Sequence, residues 1–273
     1  MGERISARIN RQGFSLRHHI DTVYHTFDFH AHEEYEIFYF QKGEVWYYLE
    51  GNAYSLVPGD VLVIPPSVMH RAVIVDENAV YQRYILMLSE EYCRKLLKDV
   101  DSLFTRKEMP PMHISLRGEE QEELRRKLDK LMSLANDPAG RLAGDSLCTL
   151  LLLQFQEYAD TQPASDEPRP QQAQEIVRYI NAHFTQDISL EDIAKHFFIS
   201  KNHLIRQFKQ YTRTTVHKYI TAKRILLAKA LLKENVPVTE VAEACGFASY
   251  TSFYQAFLRH TGQSPSQYMD DQG

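Results

Sequence analysis

Two groups of residues in this 273-residue chain are spaced to do chemistry. The first is His30-Ala31-His32-Glu33-Glu34-Tyr35-Glu36, with His70 further along. His30 and His32 stand two apart, so on a strand they share a face, and Glu36 returns to that parity after a kink. Imidazoles with a carboxylate suit Zn, Fe, Mn, Ni or Cu. The second group is the stretch 193–233, which holds ten Lys or Arg and no Asp or Glu. Cations concentrated in this way point to a polyanion, and on a helical scaffold to duplex DNA.

The scaffold that must hold these groups changes along the chain. Up to residue 88, short runs rich in Val, Ile, Tyr, Phe and Trp recur at 37–40, 45–49, 61–64, 73–75 and 81–88, separated by turn residues such as Pro58-Gly59-Asp60. Many short strands at close spacing predict a small sandwich or barrel. From Ser89 the period becomes helical: Leu124, Leu128, Leu131 and Ala135 fall on one face, as do Leu147, Leu150, Leu151, Phe155 and Tyr158. The helix around 147–155 also carries Leu152 and Leu153 on its other sides. A helix apolar over that much of its circumference is covered on more than one face, by the rest of the monomer or by a second copy. Residues 161–170 (TQPASDEPRP) hold three prolines and no large apolar side chain, the signature of a linker.

Length and composition agree with this division. At 44% hydrophobic residues the chain can bury more than one core. Residues 171–273 carry 12 Lys/Arg against 9 Asp/Glu, a net of +3, whereas the remainder is net −8. A basic tail behind an acidic body suggests that only the tail meets phosphate. Cys93, Cys148 and Cys245 are far apart and form no CxxC pair, which argues against a disulfide framework or a structural zinc site. The N-terminus shows no signal-peptide pattern, and the longest apolar cluster is far shorter than the ~20 residues of a membrane span. The expectation is a soluble, cytoplasmic protein with no membrane partner.

Inside the basic tail a short pattern occurs twice. Residues 193–200 continue to Leu204, Arg206 and Phe208; residues 241–247 continue through Ser249 to Phe253, Gln255 and Phe257. Matching positions lie 48 apart before the turn and 49 apart after it, so the second turn is one residue longer. Ser189 followed by Asp192 predicts a capped helix start, and Ser200 and Ser249 predict two more. Each would open a helix with one apolar face: Leu204, Phe208 and Tyr211 in the first, Phe253 and Phe257 in the second. Facing outward would be Lys201, Asn202, Ile205, Arg206 and Lys209, and in the second copy Tyr250, Thr251, Tyr254 and Gln255. A helix over 216–233 would span roughly 27 Å between the units. That is comparable to the ~34 Å between successive major-groove turns.

These residues, with Tyr219-Ile220, Arg224, Ala228, Leu231-Leu232, Cys245-Gly246-Phe247, Gly262 and Ser264-Pro265, strongly resemble the AraC/XylS family of bacterial transcription regulators. The resemblance covers about 100 residues. It implies a seven-helix domain whose two helix–turn–helix units read adjacent major-groove faces. On that reading Arg206 pairs with guanine and Gln255 with adenine, while Lys201, Lys209, Lys218 and Lys223 hold phosphates. Two departures stand out: Arg213 occupies a position where the family usually has Gly, and Val216 one where it often has Pro. Arg213 is expected to be strained if that position needs a positive φ.

The segments 30–43 and 58–70 resemble the two cupin motifs, which implies a small β-barrel with His70 arriving from a facing strand. The metal set is then His30, His32, Glu36 and His70, although Ile74 replaces the Asn that usually ends the second motif. The expectation is that no cofactor is needed, with a divalent transition metal in the barrel as the exception. Aromatics with polar tips favour a sugar effector, stacked and hydrogen-bonded by Arg17, Glu36, Trp46 and Arg83. The chain therefore reads as an α+β protein: a cupin-like effector-sensing barrel (1–88), a helical dimerisation segment (89–160), a linker (161–170) and an all-α DNA-binding domain (171–273). It is expected to be an effector-responsive activator and not an enzyme, a homodimer that binds double-stranded DNA and works with RNA polymerase. The alternative is a cupin metalloenzyme, an isomerase or dioxygenase, joined to a DNA-binding tail.

Overall fold

A computed structural model describes residues 4–22, 29–50, 52–76, 79–106, 109–161 and 172–270. The linker, apart from Thr161, and Tyr24 lie outside the described residues. The chain opens with eight strands: β1 (Arg4–Arg11), β2 (Phe14–Asp21), β3 (Tyr35–Lys42), β4 (Val45–Leu49), β5 (Asn52–Leu56), β6 (Asp60–Ile64), β7 (His70–Ile74) and β8 (Tyr81–Leu88). Then follow helix α1 (Glu90–Leu96), a short 3-10 turn (Leu103–Thr105), β9 (Met112–Ser115), α2 (Glu119–Ser133) and α3 (Pro138–Thr161). The strands make two antiparallel sheets, of order β1-β2-β8-β3-β6-β9 and β5-β4-β7.

Strand alternation sorts the large sheet into two buried faces. Phe38 and Phe40 of β3 pack with Val45, Tyr47 and Leu49 of β4 in the core between the sheets. Tyr35, Ile37 and Tyr39 point the other way, into a core built with Leu124, Leu128 and Leu131 of α2 and Cys148, Leu151, Leu152 and Phe155 of α3. Residue 88 thus marks the end of the first run of strands but not the edge of a core. The helical period from Ser89 predicts no strand in 89–160, yet β9 extends the large sheet by pairing with β6. β1, β2 and β5 also lie outside the predicted runs, because their alternating charged or small residues leave a weak apolar signal.

The C-terminal part has seven helices among the described residues: α4 (Gln172–His183), α5 (Leu190–His196), α6 (Lys201–Thr212), α7 (Val216–Lys233), α8 (Val238–Ala244), α9 (Tyr250–Thr261) and α10 (Pro265–Asp270). They enclose two cores, and α7 runs through both. Its Val216, Tyr219 and Ile220 pack with Leu204 and Phe208; its Ile225, Ala228 and Leu232 pack with Phe253 and Phe257. Arg224 lies between the cores and donates to the Phe184 and Gln186 carbonyls at 2.7 and 2.9 Å. The barrel docks against the first core through Met69, with Phe29, Ala31 and Tyr48 beside it. No helix of the described residues is long and apolar enough to cross a membrane.

Candidate functional site

The two helix–turn–helix units are built by the same local physics. Ser200 accepts the His203 N–H at 3.2 Å and Ser249 accepts the Ser252 N–H at 3.2 Å, so each cap satisfies a free amide at the start of its helix. Ala194 and Ala242 are buried where the paired helices cross. Leu204 and Phe208 of α6, and Phe253 and Phe257 of α9, are fully buried. That leaves Lys201, Asn202, Arg206 and Lys209 exposed on α6, with Ile205 beside them. Asn202, Ile205, Arg206 and Lys209 line one open depression with Gln210 and Arg213. On α9, Tyr250, Thr251 and Gln255 are exposed and Tyr254 is half-buried against the Tyr250 ring. Arg213 takes φ 57°, so the strain expected of a side chain at this helix end is present. Lys223, expected on a phosphate, is instead mostly buried, and its Nζ lies 2.7 Å from Glu50 of the barrel. Sequence gave no hint of that partner, 173 residues away.

The histidine cluster forms where β3 starts. His32 Nε2 lies 2.8 Å from Glu36 Oε2, and His70 Nε2 approaches the same oxygen to 3.5 Å. Both rings spend their other nitrogen on a carbonyl: His32 Nδ1 on Glu34 O and His70 Nδ1 on Val68 O, each at 2.8 Å. A carbonyl only accepts, so both Nδ1 atoms carry a proton and each ring turns its Nε2 towards the carboxylate; at 2.8 Å the His32 contact is a hydrogen bond with a proton between Nε2 and Oε2. His70 Nε2 is buried without a hydrogen bond. The ligand atoms of His32, Glu36 and His70 lie within 4.8 Å of one another. Two imidazoles and a carboxylate, with both rings held by outer carbonyls, fit a borderline divalent cation and leave open coordination positions. His30, by contrast, is exposed and outside this donor group; its backbone pairs with His70 instead.

Charge in the cluster is set by competing effects. Burial opposes ionisation of Glu36, yet the imidazoles of His32 and His70 hold its carboxyl far below the usual carboxylate range. Burial likewise opposes a charge on His32, but its hydrogen bond to Glu36 outweighs this and raises the imidazole above its ordinary value. Tyr47 adds a hydroxyl donor to Glu36 Oε1 at 3.3 Å.

Of the four residues expected around an effector, Glu36, Arg17 and Arg83 share the inner face of the large sheet and Trp46 does not. Arg83 is buried between the sheets, bonded to Asp21 at 2.6 Å and stacked over Tyr81. Arg17 shares that sheet face, opposite Ile85, with its Nε buried and without a hydrogen-bond partner. Trp46 is on the outer face of β4, 41% exposed, because Val45 and Tyr47 take the inward positions. A strand reading Val-Trp-Tyr-Tyr-Leu does not reveal its parity, and only the packing decides it.

Residues 3–152 match the family model described as the AraC-like ligand binding domain, and residues 193–271 match one described as a helix-turn-helix domain. The chain belongs to the AraC family. The AraC-type C-terminal domain is accordingly a DNA-binding domain, and the N-terminal one a ligand-binding domain, in a family of regulators and not of enzymes. The chain is similar to the probable transcriptional regulator LumQ of Photobacterium leiognathi, 38% identical over 94 residues, 34% of this chain and 38% of LumQ. It is similar to the HTH-type transcriptional regulator YbfI of Bacillus subtilis, 26% identical over 223 residues, 80% of this chain and 78% of YbfI. The HTH-type transcriptional activator RhaS of Escherichia fergusonii is 34% identical over 103 residues, 37% of each chain. The matched region thus spans most of YbfI but well under two thirds of LumQ and RhaS.

Proposed function

We infer that this AraC-family protein is an effector-responsive transcription activator that reads duplex DNA with α6 and α9. The observation that carries the reading is a pair of capped helices whose exposed faces flank an 18-residue rod, α7, roughly 27 Å long. Arg206 is suited to guanine and Gln255 to adenine, with Lys201, Lys209 and Lys218 on phosphates. Activation follows the likeness to RhaS, and RNA polymerase is then the further partner an activator must touch. The work is done in the cytoplasm, where the DNA is. A homodimer through α3 is supported by Leu142, Leu150 and Leu153, which are exposed while Leu151 and Leu152 fill the core.

Footprinting of the full chain on the promoter beside its gene tests this. The expected result is protection of two major-groove segments about one turn apart, with affinity falling steeply as salt rises. Protection of a single segment would overturn the two-helix reading.

For the ligand-binding domain, the loss of Trp46 as a stacking ring removes the main support for a sugar. The convergent donors of His32, Glu36 and His70 favour a divalent transition metal instead. Uptake of Co2+ with an absorption band that His70→Ala abolishes is the expected result; a wild-type chain that takes up no metal would overturn this part.

A further inference from the structure

The segment that supplies His32 and Glu36 also grips the DNA-binding domain. Glu33, next to His32 in the chain, accepts hydrogen bonds from the Tyr268 hydroxyl at 2.9 and 3.0 Å. Its carboxylate also pairs with Lys229 at 2.9 Å and with Lys233. Lys229 and Lys233 are one turn apart on α7, and Tyr268 of α10 is buried in the core of the second helix–turn–helix unit. A second set of contacts lies beside the first. Glu50 holds Lys223, and Arg71 packs on the rings of Phe29 and Tyr48. Tyr48 in turn meets Tyr211 edge-on at 4.8 Å. Three of the ten cations in 193–233, namely Lys223, Lys229 and Lys233, are therefore engaged by carboxylates of the ligand-binding domain.

We propose that the loop from His30 to Glu36 is a metal-operated clamp: a divalent transition-metal ion on His32, Glu36 and His70 loosens Glu33 from Lys229, Lys233 and Tyr268 and frees the DNA-binding domain to engage DNA. This rests on the metal reading of the same cluster. The sign follows from charge and reach. His70 Nε2 makes no hydrogen bond, and of the two imidazoles only His32 bonds to Glu36, so a divalent ion brings more positive charge than the one proton that contact requires. Added positive charge on the residue next to Glu33 draws its carboxylate inward and repels the two lysines, an effect that weakens as salt screens it. Metal–nitrogen bonds of ~2.0–2.1 Å also require His32 to regroup around the ion, and Glu33 moves with it. By linkage, whatever factor the metal adds to DNA affinity, DNA adds to metal affinity.

The test uses the full chain, freed of metal with a chelator, and a labelled duplex recovered by selection with this protein. Co2+ titration reports the site, and fluorescence anisotropy with and without Zn2+ reports DNA affinity for wild type, Glu33→Gln and Tyr268→Phe. Zn2+ is expected to tighten wild-type DNA binding about five- to tenfold. Metal-free Glu33→Gln should already bind DNA that tightly and gain less than about twofold from Zn2+, within the same linkage. Tyr268→Phe, which keeps the buried ring, should move the same way by about twofold, one hydrogen bond being worth less than the ion pairs. If Co2+ binds but Glu33→Gln keeps the wild-type response to Zn2+, the clamp is wrong and the metal site stands. If wild type takes up no Co2+, the metal reading and the clamp fall together.

Discussion

The two helix–turn–helix units share a scaffold and differ in what they present. Aligned by their turns, Lys201 matches Tyr250, Arg206 matches Gln255 and Lys209 matches Leu258. The outer face of α6 is cationic, whereas that of α9 is aromatic, amide and aliphatic. The backbones differ in the opposite sense. At the turn the second unit has Gly246 at φ 77°, where the first has Phe198 at φ 54° and 96% exposed. At the helix end the second has Gly262 at φ 79°, where the first has Arg213 at φ 57°. Both units need a left-handed residue at these points, and only the second fills them with the residue that bears that conformation without strain. The fold dictates the backbone angle; the residue that occupies it is free to vary where space allows.

Space is what separates Gly246 from Phe198. A Cβ at Gly246 would lie 2.2 Å from the Thr185 carbonyl oxygen, so no side chain fits. The Phe198 side chain projects into solvent instead. Variants that break or sharpen this contrast can be ranked by size. Phe208→Ala and Phe257→Ala should each destabilise the domain by about 3–5 kcal/mol in chemical denaturation, and near-equal losses are expected because the apolar faces are equivalent. Gly246→Ala should cost about 2–3 kcal/mol by the same measurement, from strain and overlap together.

The reading faces should part in DNA binding. Arg206→Ala is expected to cost about 1–3 kcal/mol of affinity and to relax the preference at one base pair. Lys209→Ala should lower the slope of log affinity against log salt by about one, while Gln255→Ala leaves that slope unchanged. Equal salt slopes for the Lys209 and Gln255 variants would erase the proposed division between a charged and an uncharged reader. Phe198→Gly should raise stability by about 1 kcal/mol, since it removes strain and gives up no buried contact.

The smallest effect concerns the helix starts. In the first unit Ser189 and Asp192 exchange hydrogen bonds across the start of α5, at 3.0 and 3.1 Å, whereas α8 follows Pro237 with no side-chain cap. Bonds from Ser189 hold the Asp192 carboxyl below its ordinary value. A depressed carboxyl stabilises above the ordinary carboxylate range and loses that contribution as pH falls through and below it. Acid should therefore increase amide exchange at the start of α5 before that of α8. Simultaneous loosening would remove the distinction.

Much of this was legible in the residues. The duplicated pattern, the serine caps and the phenylalanine spacing lie within a dozen residues of each other, and helices are decided at that range. The unequal turns are visible in the structure as well, four residues between α5 and α6 and five between α8 and α9. Short-range order also made the central strands readable, because Val, Ile and aromatic runs mark a pleated, buried surface. β1 and β9 were not readable in that way, since strands at the edges of a sheet need fewer apolar residues than those inside it.

By itself the sequence determined the helical reader: its two units, the rod between them and the exposed basic face. It also supplied the histidines and the carboxylate, but not which of them meet. Tertiary structure decided that His32 and His70 converge on Glu36 while His30 stays outside, that Trp46 faces away from the interior, and that Lys223 and Lys229 end on barrel carboxylates. The physical reason is range. Local spacing fixes which face of an element a side chain takes, but whether two faces meet depends on how whole layers pack, and Glu33 finds Tyr268 across 235 residues of chain.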